Sequence, residues 1–462
     1  MNRKMKTLVA NRGEIAVRII RALKELNIET VAVYSTADRY ALHTEIADQS
    51  VCIGPASAVE SYLNSYRLLS LASMKAVDYI HPGIGFLAEN EDFSELCENS
   101  GIGFIGPKSQ IIGLMGNKNN AKKVAREVGL PTIQGSDTVV LSVEECKEAI
   151  AKIGLPVVLK ATAGGGGKGI RYITHKDQIE LYYELCREEA QSAFKNSELI
   201  VEQYLKNARH VEVQILADSY GNVIHVGDRE CSIQRNSQKI IEEARCLNIS
   251  EKLRKKLYQD SIRLAKKIGY TGVGTVEFLV QPDETYYFLE MNTRLQVEHT
   301  VTELVSGIDL VKEQIKVACG EKLSLTQEDV SFQNFALECR ILAENPNRSF
   351  GPSFGKITQM HLPGGNGVRV DSGYRCNDTL SPYYDSLLLK LCCYAADRSL
   401  AIKKMQLCLD EIRIEGIDTN IDFLRFILKN ERFVAGQYDK NFIPEIIDDF
   451  VHCSVLESGE SC

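Results

Sequence analysis

Two apolar runs separated by a short turn segment constrain this 462-residue chain more than any other feature. Gly274-Thr275-Val276-Glu277-Phe278-Leu279-Val280 and Thr285-Tyr286-Tyr287-Phe288-Leu289-Glu290 flank Gln281-Pro282-Asp283-Glu284, the pattern of a β-hairpin. With Asp283-Glu284 as the turn residues, Glu277 stands directly opposite Glu290. A one-residue change of register would separate them. Two facing carboxylates repel unless a cation or a proton lies between them. Read onward at strand period, Glu290, Asn292, Arg294, Gln296 and Glu298 share one face as far as His299. An ordinary solvated strand can carry such a face, so the pairing across the hairpin gives it chemical meaning. Glu277, Glu290 and Asn292 are hard oxygen donors suited to Mg²⁺ or Mn²⁺ more than to zinc. The expectation is a metal–phosphate site.

At this length two to four domains are expected. The formal net charge of −8 argues against general nucleic-acid binding, although local basic clefts remain compatible with it. The basic start Met1–Lys6 is followed by only four residues, Thr7–Ala10, before Asn11-Arg12, too few for a secretory h-region. No apolar run reaches the ~20 residues that span a bilayer. The 14 cysteines include no C-x-x-C spacing, and many sit in apolar runs such as Cys392-Cys393. They read as buried reduced thiols in a cytoplasmic protein rather than as a disulfide framework.

Along the chain, Thr7–Ala10, Thr30–Tyr34 and Ala76–Ile80 read as strands, with a helical pattern over Ile15–Leu26. This alternation predicts an α/β, Rossmann-like parallel sheet over residues 1–115. Asn11-Arg12-Gly13-Glu14 has one glycine and is no dinucleotide fingerprint. His81-Pro82-Gly83-Ile84-Gly85-Phe86, followed by Glu89-Asn90, is a turn-rich loop of the kind that lines clefts. Lys118 precedes a basic helix, Ala121–Val128, and Ser142-x-x-Glu145 is a capping-box pattern. Pro156–Lys160 reads as a strand, followed by Ala163-Gly164-Gly165-Gly166-Gly167-Lys168-Gly169 and the strand Ile170–Ile173. The spacing is not that of a P-loop, and a flexible solvent loop is the plain alternative. Four glycines between Lys160 and Lys168 favour a mobile phosphate lid using backbone N–H groups. Leu199–Leu205 reads as a strand entering a hinge, His210 opens an alternating strand, and Gln234–Lys239 reads as a polar loop. A lone His or Lys at such places is more often structural. Beyond Gly307, the helix Leu310–Cys319, the strand Ala336–Ile341 and several glycine-punctuated strands suggest an α+β closing domain. From Val451 a Ser- and Glu-rich tail is expected to be disordered.

The order Lys118, Lys160, glycine hairpin, Glu277, Glu290-Met291-Asn292-x-Arg294 resembles the ATP-grasp enzymes. More narrowly, Val9–Ala16, His81-Pro82-Gly83, Glu290–His299 and Pro382–Ser386 resemble biotin carboxylase, over about Thr7 to Phe450. The resemblance implies a Rossmann-like N-terminal domain (1–115), an ATP-grasp domain (122–319, lid 132–204) and an α+β C-terminal domain (334–447), with the tail at 451–462. It implies that ATP phosphorylates bicarbonate to carboxyphosphate and that the carboxyl group moves to N1′ of carrier-bound biotin. Lys118, Lys160 and the Gly166-Gly167 backbone would hold the phosphates. Glu202, Gln203, Tyr204, Leu205, His210 and Ser237 would surround the adenosine, and Glu277, Glu290 and Asn292 would bind two Mg²⁺ (or Mn²⁺). Bicarbonate would lie between Lys239, Arg294, Gln296 and the Val297 backbone, Glu298 would be the general base, and Arg340 would stabilise the biotin enolate.

The chain departs from the family pattern at Ile84, Gln203, Ser237 and Arg245-Cys246. Ser237 removes a nucleotide contact, and Arg245 is expected to reshape the loop behind Lys239. No Glu-Ala-Met-Lys biotinylation sequence occurs. The implied partners are therefore a separate biotin carboxyl carrier protein and carboxyltransferase subunits, with a homodimer as the family's state and neither nucleic acid nor membrane as a partner. Acetyl-CoA carboxylase is the first expectation for the final acceptor. A pyruvate, propionyl-CoA or other acyl-CoA carboxylase and a non-catalytic regulatory paralogue are the alternatives.

Overall fold

In the computed structural model, which describes residues 4–136, 138–162 and 169–458, the N-terminal strands form the expected parallel sheet. β1 (Lys6–Val9), β2 (Glu29–Ser35), β3 (Gln49–Gly54), β4 (Tyr79–His81) and β5 (Gly103–Phe104) lie in the order β3-β2-β1-β4-β5. The chain reverses direction across this sheet between β1 and β4, where open α/β sheets place ligands. The two loops leaving those strands are tied together there. Asn11 Nδ2 donates to the carbonyls of Pro82 (2.7 Å) and Ile84 (2.8 Å). The helix Gly13–Glu25 packs Ile15, Ile19, Ile20 and Leu23 beneath them. Sequence reasoning missed β3, which is largely half-exposed, and the two-residue β5.

A small antiparallel sheet of β6 (Val157–Ala161), β7 (Ile170–Ile173) and β8 (Leu199–Gln203) has the order β7-β6-β8. The helices Val143–Ile153 and Ile179–Phe194 cover it through Cys146, Ile150, Tyr183 and Cys186. Ser142 caps the first helix by accepting from the Glu145 N–H, while the Glu145 carboxylate takes the Leu141 N–H at 2.7 Å. The glycine run, with Gly166, Gly167 and Lys168, lies outside the described residues.

The remaining long strands join one eight-stranded antiparallel sheet. Its order is β13 (Tyr286–Asn292), β12 (Gly272–Val280), β9 (Arg209–Ala217), β10 (Val223–Arg235), β11 (Gln238–Ala244), β14 (Phe335–Leu342), then Leu387–Ala395 and Val368–Ser372. The closing segment therefore extends the central sheet instead of beginning a separate one. β14 pairs with β11 through Ile241↔Cys339 and Glu242↔Glu338, and so covers an edge that would otherwise present unpaired backbone groups.

Four expectations need correction. Gln234–Lys239 is a tight hairpin, with only Asn236 and Ser237 in the turn at φ 50° and 62°. Positive φ at both central residues is what a type I′ turn requires. In the β12–β13 hairpin, Val280 pairs with Tyr286, one residue out of the register expected from an Asp283-Glu284 turn. A bulge between Glu277 and Phe278 restores the offset, so Glu277 still faces Glu290. β13 ends at Asn292, so the shared strand face does not reach His299. Finally, the helix Phe442–Ser458 runs into the expected disordered tail as far as Ser458, the last described residue. Phe442, Ile443, Ile446 and Phe450 anchor its start in the core, and past Pro444 in the first turn no Gly or Pro interrupts the chain before Gly459. No helix among the described residues is long and apolar enough to cross a membrane.

Candidate active site

The alternating strand Val211–Leu216 sends His210, Glu212 and Gln214 to one face of β9. Glu212 pairs in register with Glu277 on β12, and Glu277 with Glu290 on β13, so one rung of the sheet carries three carboxylates. Like charges on a rung destabilise a sheet unless cations intervene. Two basic side chains do so. Lys239 Nζ, from β11, lies 2.6 Å from Glu212, 3.1 Å from Glu277 and 2.5 Å from Glu298. Arg229, fully buried on β10, donates to Glu212, Gln214 (2.7 Å), Gln296 (2.7 Å), Thr302 (2.9 Å) and Thr275 (3.1 Å). His210 Nε2 stands 3.0 Å from Glu277.

These contacts set the protonation states. Burial resists ionisation of Glu298, but Lys239 and then Arg340 and Arg229 outweigh it and bring the carboxyl down to about 2. Burial likewise opposes Glu277, which Lys239 and His210 hold well below the usual carboxylate range. Against its own burial, His210 is lifted to about 9, chiefly by Glu277. Glu290 moves the other way. Burial raises it, with Glu277 and Glu89 adding to the effect while Lys118, 3.8 Å away, opposes. Glu290 is thus a half-buried acid crowded by two like charges, and a divalent cation shared with Glu277 would relieve it. Hard oxygen donors in that condition fit Mg²⁺ or Mn²⁺. Two other acidic groupings, His210–Glu212–Glu277 and Glu212–Cys231–Glu298, also have their donor atoms close together. In each, the Lys239 ammonium already bonds to two of the three residues, Glu212 and Glu277 in the first, Glu212 and Glu298 in the second. A cation shared by Glu277 and Glu290 would therefore add to Lys239 at Glu277.

A cleft of about 470 Å³ opens beside this rung and runs to the β8 hinge. Lys118, Lys160, Glu202–Leu205, His210, Ser237, Lys239, Glu277, Glu290, Asn292, Arg294, Gln296, Val297, Glu298 and Arg340 all line it. Glu202 is buried between Lys160 (2.6 Å) and Lys122, which hold its carboxyl at about 2 against the cost of burial. Leu205 packs with Ile133, Ala208 and Leu279, an apolar shelf suited to a flat ring. Tyr204 Oη donates to Asn441 at 2.8 Å.

The loop 293–298 carries the expected anion groups in an unanticipated arrangement. Arg294 Nε bonds to Glu89 at 2.8 Å and Nη2 to Asn292 Oδ1 at 3.1 Å, away from the Lys239–Glu298 pair. Gln296 is engaged at both ends, donating to Glu277 at 2.8 Å and accepting from Arg229. The Val297 carbonyl accepts from Lys390 at 3.0 Å. Arg340 Nη2 donates to Glu298 at 3.0 Å and its Nε to Glu242 at 2.6 Å. Asn292 donates to Glu277 at 2.9 Å. Of the departures, Ile84, Gln203 and Ser237 line the cleft. Arg245 stacks on Phe332 at 5.1 Å and pairs with Glu251 at 3.4 Å, so its side chain is not turned toward Lys239. Glu212, Arg229 and Lys122 were missed, and Glu89 was noted only beside a cleft-lining loop, without its pairing to Arg294. The polar alternation of β9 pointed to Glu212, whereas Arg229 has no local signal.

Three family models tile the chain. Residues 3–112 match the biotin carboxylase N-terminal domain. Residues 117–326 match the ATP-binding domain of the carbamoyl-phosphate synthase L chain, and residues 338–445 the biotin carboxylase C-terminal domain. Biotin carboxylase 1 of Bacillus subtilis (strain 168) is 50% identical over 95% of this chain and 98% of its own length. A pyruvate carboxylase subunit of Methanothermobacter thermautotrophicus is 47% identical over 95% of this chain and 89% of its own. Among solved structures, the biotin carboxylase domain dimer of Hydrogenobacter thermophilus 2-oxoglutarate carboxylase, in complex with MgADP, ADP and bicarbonate, superposes with a TM-score of 0.94. It is 44% identical, covering 97% of this chain and 99% of that one.

Proposed function

The chain belongs to the biotin carboxylase family, and on that premise we propose that its cleft carboxylates carrier-bound biotin with ATP, Mg²⁺ and bicarbonate. The observation that carries the reading is the Lys239 ammonium set against Glu298, with Arg340 on the second oxygen of that carboxylate. A base, an anion-binding cation and an oxyanion donor meet there within hydrogen-bond reach.

Lys118, Lys160 and the Gly166-Gly167 backbone bind the ATP phosphates, and the segment 132–204 is the lid that closes over them. Glu202 to Leu205, His210 and Ser237 hold the adenosine. Glu277, Glu290 and Asn292 are the metal donors; bound Mg²⁺ supplies neutralisation of phosphate charge during in-line transfer. Bicarbonate displaces the resting contacts of Arg294 with Glu89 and of Gln296 with its partners. It then sits between Lys239, Arg294, Gln296 and the Val297 backbone. Glu298 takes its proton as the bicarbonate oxygen attacks the γ-phosphorus and ADP leaves, giving carboxyphosphate. With a pKa near 2, Glu298 works by position more than by basicity. The departing phosphate takes the N1′ proton, and Arg340 steadies the negative charge so formed on the ureido oxygen while N1′ takes the carboxyl carbon. Exclusion of water by the closed lid protects carboxyphosphate from hydrolysis.

For the final acceptor we propose acetyl-CoA, with carrier and carboxyltransferase on partner chains, a homodimeric carboxylase and a cytoplasmic setting. Pyruvate or another 2-oxoacid is the second reading, favoured by the Methanothermobacter and Hydrogenobacter relatives. ADP release requiring both bicarbonate and biotin tests the activity, and an Arg340→Ala control should lower it by roughly 10²–10³-fold. The parent's failure to turn over at millimolar ATP would sink the reading. Reconstitution with carrier and acetyl-CoA or pyruvate distinguishes the acceptors.

A further inference from the structure

Lys390 lies on the strand Leu387–Ala395, fully buried, and the reaction steps above make no use of it. It pairs in register with Arg340 on β14 and with Asp371 on Val368–Ser372. Residues opposed across paired strands send their side chains to the same face, so Arg340 and Lys390 approach one loop from a single rung. Arg340 takes the Glu298 carboxylate at 3.0 Å, and Lys390 Nζ donates to the carbonyl of the preceding residue, Val297, also at 3.0 Å. The Val297 C=O and the Glu298 N–H belong to one planar peptide unit. A bond to that carbonyl therefore fixes the plane from which the Glu298 side chain departs.

The charge on Lys390 is balanced from distant parts of the chain. Glu14 Oε2, in the first turn of the N-terminal helix, lies 3.2 Å away, and Asp371 3.8 Å away. Close packing holds Glu14 in place. A Cβ added at Gly373, just past the strand Val368–Ser372, would fall 2.6 Å from the Glu14 backbone nitrogen, so the helix start lies against the end of that strand with no room for a side chain between them. Burial penalises the ammonium, yet Glu14, Glu338 and Asp371 keep it charged. Burial in turn lifts the Glu14 carboxyl to about 7 against the pull of Lys390, while Lys390 and Arg369, overcoming burial, hold Asp371 at about 2. The plain reading is an interdomain ion pair that only holds parts together. Buried ion pairs are weak stabilisers compared with apolar side chains of similar size, so stability alone explains poorly why a lysine stands here.

We propose that Lys390 is a positioning residue for bicarbonate activation: with Glu14 as counter-ion, it clamps the Val297–Glu298 peptide so that the Glu298 carboxylate stays between Lys239 and Arg340. The inference rests on the assignment of Glu298 as the base, and the test separates the two. Lys390→Met is compared with the parent, with Glu298→Gln and with the double variant, measuring kcat for biotin carboxylation and the MgADP dissociation constant. A misplaced base costs on the order of 100-fold in kcat. MgADP binding is expected to stay within about threefold, because the nucleotide end of the cleft lacks this contact. In the Glu298→Gln background the same substitution should cost less than about threefold, since the group it positions is already gone. A purely structural role would instead multiply the two losses, and that result overturns the proposal. Glu14→Gln is the milder variant should Lys390→Met not fold. It is expected to lower kcat about tenfold, an effect that likewise vanishes without Glu298; a kcat within threefold of the parent overturns the proposal. Absence of bicarbonate-dependent turnover in the parent overturns the base assignment as well, whereas parent turnover with multiplicative losses overturns only the positioning role.

Discussion

Replacing Glu298 by glutamine removes the proton acceptor while keeping its size and one carbonyl oxygen. Positioned general bases contribute about 10²–10⁴-fold. Glu298 sits between Lys239 and Arg340 with its carboxyl near 2, which leaves little thermodynamic drive for taking a proton. The expected loss therefore lies toward the lower end, about 300-fold in kcat, or roughly 3.4 kcal/mol of transition-state stabilisation. The fold should survive, because Lys239 keeps Glu212 and Glu277 and Arg340 keeps Glu242. ATP binding is made elsewhere in the cleft, so its KM should move less than about threefold. The pH dependence has a definite sign. A group lowered to about 2 is ionised throughout pH 6–9, so any acid limb in the parent belongs to another residue and should persist in the variant. Initial rates of bicarbonate- and biotin-dependent ADP release across that range make the measurement. A kcat within threefold of the parent, or an acid limb that disappears with the substitution, would refute the reasoning.

Arg340→Ala should lower kcat by roughly 10²–10³ with little change in ATP KM, as expected for loss of a donor to a developing oxyanion; steady-state kinetics with free biotin check this. Glu202 is lowered from an ordinary value of 4.5 to about 2, so its contribution to stability is full above pH 4.5 and is lost as the pH falls through 2. That is on the order of 3 kcal/mol, and urea midpoints at pH 5 and pH 3 should fall further apart in the parent than in Glu202→Gln. Ser237 is left-handed at φ 62°, so Ser237→Gly should stabilise the hairpin by about 1 kcal/mol, read as a shift in denaturant midpoint. Among the described cysteines, only Cys52 and Cys376 are exposed, while burial pushes Cys97 and Cys186 up to about 12. A thiol reagent should label the first two in the native protein and leave the buried ones, Cys97 and Cys186 among them, until it unfolds, as peptide mapping would report.

Much of the site was legible because its chemistry is concentrated in short contiguous runs. The hairpin placed Glu277 opposite Glu290 from alternation and turn residues alone, and the pairing holds although a register shift near the turn is compensated by a bulge. Sequence patterning cannot see that compensation, since a bulge changes one hydrogen-bond offset without altering the apolar alternation around it. The polar face of β9 was visible, yet Glu212 passed unremarked because its meaning depends on two neighbouring strands. The helical tail was misjudged because composition weighed Ser and Glu, while the buried anchors at its start carried the helix onward.

By itself the sequence determined the parallel N-terminal sheet, the paired carboxylates, the lysines and loops that line one cleft, and the family. The first two follow from local periodicity, and the others from a family resemblance carried by short motifs spread along the chain. Tertiary structure alone decided how charge is compensated. Arg294 pairs with Glu89, some two hundred residues away, Arg229 gathers Glu212 and Gln296, and Lys390 joins Glu14 to the Val297 carbonyl. A buried charge must find its partner wherever packing brings one within about 3 Å, and no spacing along the chain encodes that distance.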